Sequence, residues 1–139
     1  MSATVPHIVT GNAAADGAPF RGWFVGDLPA WSGMARGAAQ RRFGLRATDA
    51  LSVKWGVHPA GETRKGGWAK AEPTDTVSIL VSGEFVIRFR DAGSPTDAPL
   101  TESRLARAGD YAAWDGAVEH TWEAVADSVV VTVRWRVRA

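Results

Sequence analysis

The sequence predicts an all-β domain, a barrel or sandwich of short strands preceded by an N-terminal arm. Three observations point that way. From about residue 49 onward, short runs rich in Val, Ile, Trp and Phe are separated by Gly, Pro and Asp. The stretch 128–137 alternates cleanly, with Val129, Val131, Val133 and Trp135 opposite Val130, Thr132, Arg134 and Arg136. No stretch sustains a long helical period, so at most one short helix is expected, around 33–42. A chain of 139 residues with 45% hydrophobic residues suits a single packed core.

Taken in order, residues 1–18 are Ala, Gly and polar without periodicity and predict a loosely held arm. Phe20, Trp23, Phe24 and Val25 then predict a short strand or a segment laid over the core. The organisation is therefore an arm and covering segment over 1–48 and a barrel over 49–139. In 52–58, Val53, Trp55 and Val57 occupy one face and Lys54, Gly56 and His58 the other, until Pro59-Ala60-Gly61 stops the strand. Strands at 76–81 and 84–90 flank Ser82-Gly83 and predict a hairpin. A Gly- and Pro-containing loop over 91–102 leads to strands at 104–106, 111–114, 120–124 and 128–137. The seven tryptophans are expected mostly in the core, with one or two lining a pocket.

Charge and composition exclude several classes. Sixteen Lys and Arg against fifteen Asp and Glu leave a net charge of +1, which gives no electrostatic footprint for nucleic acid or anionic lipid. With no cysteine, thiol catalysis, disulfides and Cys-type zinc sites are excluded, and a cytoplasmic location is the expectation. No run approaches the roughly 18 apolar residues of a membrane helix, and the N-terminus has no signal-peptide pattern, so no membrane partner is expected. P-loop, dinucleotide-binding, His-Glu-x-x-His and Gly-x-Ser-x-Gly motifs are also absent.

Two stretches carry a family likeness. The first is Pro59-Ala60-Gly61 followed, after a variable loop, by the run from Asp75 through Thr76, Val77, Ser78, Ile79, Leu80, Val81 and Ser82 to Gly83-Glu84. The second is Gly109-Asp110-Tyr111 with Trp114-Asp115-Gly116 and His120. Together they resemble the two motifs of the cupin superfamily, over about residues 50–136. That resemblance implies a jelly-roll β-barrel (double-stranded β-helix), with ligands bound between its sheets. It also implies metal ligands at four positions, of which His120 alone matches. The others fall on Lys70, Glu72 and Thr76, and neither a charged ammonium nor a threonine hydroxyl replaces a histidine or carboxylate ligand.

The candidate site follows. His120 and Glu72 are candidate acid and base, or, with His58, ligands of one divalent metal ion (Fe, Zn, Ni or Mn). Period-two alternation puts Trp122 on the same face as His120. Thr76, Lys70 and Arg134 are expected around a small-molecule ligand, Arg134 binding a carboxylate or phosphate if it points inward, and Trp68 as part of a covering loop. The expected function is an isomerase, lyase or hydrolase acting on a small molecule; the alternative is a metal-free, non-catalytic ligand-binding or sensor module. A homodimer is expected through exposed sheet edges and the tryptophan-rich N-terminal segment. His7, in the arm, is expected to have no role.

Overall fold

The computed structural model describes residues 7–137, so residues 1–6 of the expected arm lie outside it. The elements are α1 (Ala13–Gly17), a 3-10 turn (Ala18–Phe20), β1 (Trp23–Val25), α2 (Leu28–Ser32), α3 (Arg36–Phe43) and a second 3-10 turn (Gly44–Arg46). The barrel follows with β2 (Leu51–His58), β3 (Thr74–Ser82), β4 (Phe85–Asp91), β5 (Thr101–Leu105), β6 (Tyr111–Trp114), β7 (Val118–Ala124) and β8 (Ser128–Arg136). Two antiparallel sheets face each other: β1-β2-β8-β3-β6 and β5-β4-β7. This is a jelly-roll arrangement, as expected from the strand pattern.

Two local expectations are corrected. Before residue 49 there are three short helices rather than at most one. The Asn12 side chain caps α1 by accepting from the Ala15 N–H, and the Asp27 side chain caps α2 by accepting from the Ala30 N–H. At five residues each, these helices are too short to stand alone and depend on packing, which sequence periodicity does not register. The second correction concerns Ser82-Gly83, which does not close a hairpin: β3 and β4 belong to different sheets. A bulge between Leu80 and Ser82 and a left-handed φ of 95° at Gly83 turn the chain from one sheet into the other. The corner is fixed by Ser128, whose hydroxyl accepts from the Glu84 N–H and donates to the Glu84 carbonyl.

The core occupies one end of the space between the sheets. Leu80 and Val130 from the larger sheet meet Phe85, Ile87, Leu105 and Ala124 from β4, β5 and β7. Moving away from this end along the inner face, the paired residues of β3 and β8 change from Leu80↔Val130 to Ser78↔Thr132 and then Thr76↔Arg134. Apolar side chains give way to hydroxyls and then to a charge, so the barrel is sealed at one end and open to polar contents at the other. None of the seven tryptophans is fully buried, a correction to their expected place in the core. The bulk of Trp fits the half-enclosed cavity wall better than the tight apolar end.

Candidate functional site

A cavity of about 810 Å³ fills the polar end of the barrel. On the larger sheet, β2 directs Lys54, Gly56 and His58 inward, β3 adds Thr76 and Ser78, and β8 adds Thr132 and Arg134. On the smaller sheet, Phe85 and Ile87 of β4 lie beside Trp122 and His120 of β7, because Ile87 pairs with Trp122 and Phe89 with His120. Trp114 and Trp23 complete the aromatic wall.

The loop 59–73 between β2 and β3 runs along β7 and is tied to it. The Gly61 N–H donates to the Ala124 carbonyl, the Arg64 N–H to that of Trp122 and the Ala69 N–H to that of His120. These bonds cover what would otherwise be a free sheet edge and hold Glu62, Arg64 and Lys70 at the cavity. They also correct the expectation for Trp68. It does not line the cavity, and Arg90 stacks over its ring at 4.2 Å.

Both cavity histidines are kept neutral. His120 is pushed down to about 4, first by burial and then by the charges of Arg134, Arg64 and Lys54. Its ring packs 4.9 Å from Trp114, and among the described residues it makes no side-chain hydrogen bond. His58 is almost completely buried, stacked 4.4 Å from Trp122, with Nδ1 held 2.6 Å from Glu62 Oε1. Burial lowers its pKa, and the hydrogen bond to Glu62 works the other way.

Three cations dominate the electrostatics. Lys54 is shifted down by burial and then by Arg134, and Arg134 by burial, with Glu72 opposing. Arg134 Nε donates to Thr76 Oγ1 at 3.3 Å. The Trp23 ring lies beneath both, 5.3 Å from the Arg134 guanidinium carbon and 5.9 Å from Lys54 Nζ. Neither Lys54 nor Arg134 has a salt-bridge partner among the described residues.

The sequence-based candidates divide accordingly. His120, Trp122, Thr76, Arg134, Lys70, Glu72 and His58 all line the cavity, and Trp68 does not. Glu72 is exposed at the rim and acts on Arg134; the charges acting on His120 are the three cations, not a shared proton with Glu72. The residues do not fit a metal ion either. Among the described residues no three His, Asp or Glu side chains converge as a ligand set, so the expected grouping of His58, Glu72 and His120 is not assembled. His58 is engaged by Glu62, and Lys54, Arg64 and Arg134 make the space unfavourable for a divalent cation. Lys54, Arg64, Glu62, Trp23 and Trp114 were not singled out by sequence reasoning. The available signal is the in-phase row of Lys54, Gly56 and His58.

No family model and no curated protein sequence matches the chain. Solved structures do resemble it. KdgF from a Halomonas species has a TM-score of 0.51 at 21% identity, covering 66% of this chain and 73% of that one. A conserved protein of unknown function from Streptococcus pyogenes has a TM-score of 0.52 at 18% identity, covering 66% and 69%. The CENP-C cupin domain of Drosophila melanogaster has a TM-score of 0.47 at 18% identity, covering 63% and 60%. No helix among the described residues is long and apolar enough to cross a membrane. At these identities the likeness to KdgF and the Streptococcus pyogenes protein is one of fold alone, a jelly roll of two antiparallel sheets rolled around a cavity.

Proposed function

We propose that the cavity binds a small hydroxylated carboxylate, with its carboxylate at Lys54 and Arg134 and its hydroxyls along Ser78, Thr132 and Thr76. The observation that supports this reading is the pair of desolvated cations, Lys54 and Arg134, without a salt-bridge partner on the cavity wall. A buried charge is costly until an opposite charge meets it, so the free cavity favours an anion. Two faces of the ligand are thereby addressed: Ser78 Oγ and Thr132 Oγ1, 2.7 Å apart, offer hydroxyl contacts, and Trp114, Trp122 and Trp23 supply apolar walls.

The neutral His120 imidazole faces the same space and is free to accept a proton from bound ligand. Negative charge developing next to the carboxylate would be met by Lys54 and Arg134. This reading supports chemistry of the isomerase and lyase class. The same low basicity of His120 supports a second reading, a non-catalytic binding module. Solvent deuterium entering the carbon beside the carboxylate marks the enzyme, and its absence in a tightly bound ligand marks the module.

Paired probes test the ligand class. Tartrate and gluconate should quench tryptophan fluorescence saturably, whereas threitol and sorbitol, their uncharged counterparts, should not. Arg134→Gln should weaken the carboxylates by about tenfold or more, since a charge-assisted hydrogen bond contributes roughly 1.5–3 kcal/mol. Equal binding of acids and polyols would overturn the proposal.

A further inference from the structure

The inward row of β2 continues past Lys54. Ser52, two residues nearer the start of the strand, has the same phase and pairs with Arg134 of β8. Around that pair the segment before residue 49 encloses a second hollow of about 490 Å³, lined by Phe20, Arg21, Trp23, Trp31, Ser52 and Arg134. Arg21, Trp23 and Arg134 also line the large cavity, so the two spaces adjoin across the Trp23 ring and the Arg134 guanidinium.

Three aromatic rings form much of the wall of this hollow. Phe20 and Trp31 lie 6.2 Å apart and tilted by 49°, and Trp23 and Trp31 lie 6.3 Å apart and tilted by 54°. Rings at these tilts make a curved apolar wall and not a closed stack, which leaves ring faces for a further aromatic group. Trp31 is 42% exposed and takes no part in the core between the sheets. Gly26 seats it, since a Cβ there would overlap the Trp31 ring. The charges have one sign. Arg21 and Arg134 line the hollow, no carboxylate does, and neither arginine has a salt-bridge partner among the described residues. This arrangement disfavours a cation held in an aromatic cage and suits a ring that carries an anion.

Arg21 supplies a separate observation. It is the one non-glycine residue with a positive φ among those described, at 56°. Such a backbone persists where its surroundings hold it. Here the Gly22 N–H donates to the Gly17 carbonyl, and the Gly22 carbonyl accepts from the Trp55 N–H of β2. The turn is thereby tied to the sheet and keeps Arg21 at the border of both spaces.

We propose that the hollow receives an aromatic ring borne by the cavity's own ligand, so that the ligand class is a hydroxycarboxylate with an aromatic substituent. The inference rests on the reading of the cavity as a carboxylate site and extends it. The carboxylate lies between Lys54 and Arg134, and the ring crosses the border at Arg134 to rest on Phe20, Trp23 and Trp31. Arg134 then pairs with the carboxylate on its cavity side and bounds the ring on the other. Closing the mouth with an apolar group also excludes water from the ion pair, which strengthens it.

Isothermal titration calorimetry with three probes tests this: phenyllactate, lactate, which lacks the ring, and phenylpropanediol, which lacks the carboxylate. Phenyllactate should bind at least about tenfold more tightly than lactate, and the diol should bind weakly. The ratio of the two acids should fall to within about twofold in Trp31→Ala. Leu45→Ala, at an exposed residue outside both spaces, should leave the ratio unchanged. Because the ratio compares two ligands on one variant, a loss of folded protein cancels from it. Equal binding of the two acids, or a ratio that survives Trp31→Ala, would overturn the inference and leave the carboxylate reading standing. A diol that binds as tightly as phenyllactate would overturn the carboxylate reading and the inference with it, as would an absence of binding by either acid.

Discussion

His120 and Lys54 illustrate how single side chains carry the site. Unfolded, an imidazole titrates near 6.5, and in the fold His120 is pushed down to about 4. Between those values the unfolded chain binds the additional proton. The stability associated with a neutral His120 is therefore intact above pH 6.5 and is lost as pH falls towards 4, at a slope of at most about 1.4 kcal/mol per pH unit. Urea unfolding across this range should give a steeper pH dependence for wild type than for His120→Gln, while His58, also depressed by burial, maintains part of the slope in both. Identical slopes would mean that His120 is not desolvated. Its position is legible in the sequence because strand alternation and a motif-like turn both place it with Trp122. Lys54 is legible as lying opposite three apolar neighbours, yet a lysine opposite Val53, Trp55 and Val57 ordinarily faces water. Only the facing sheet and the Trp23 ring turn that position into a cavity wall.

Strands are the part of the fold most readable from sequence, since period-two alternation is local; corners are not, because the sheet a strand joins depends on distant partners. Ser82-Gly83 has the composition of a hairpin turn, but the β4 edge is taken by β5 and β7 and the β3 edges by β6 and β8. Two glycines separate conformational from packing demands at such corners. Gly109 has φ 93° with nothing near the position of a Cβ, so Gly109→Ala should cost about 1–2 kcal/mol for its left-handed backbone alone. At Gly83 the φ is 95° and a Cβ would also overlap the Asp127 carbonyl oxygen and the Ser128 side chain. Gly83→Ala should therefore cost about 2–5 kcal/mol, the same strain plus overpacking. Chemical denaturation of the two variants checks the order, and equal losses would remove the packing role assigned to the corner. The helices before residue 49 escape sequence reading for a related reason. Their caps are local, but their stability depends on contacts with β1, β2 and one another.

At the scale of the whole molecule, one inversion of pattern accounts for both the cavity and the outer face. The larger sheet places its hydroxyls and cations inside and its valines outside, so the interior is polar at the cavity end and the outer face apolar. The reversal itself is present in the sequence as an alternation, but which phase faces inward is decided by the position of the opposing sheet. A cationic cavity around a neutral histidine is the central feature, and nuclear magnetic resonance titration of the His120 imidazole tests it most directly. Without ligand its pKa should lie at about 4. Saturating tartrate should raise it, because a carboxylate at Lys54 and Arg134 offsets the positive charge that holds it down, whereas threitol should leave it unchanged. A free-state value at the ordinary 6.5, or a value that tartrate does not move, would contradict the assignment of this cavity as a carboxylate site.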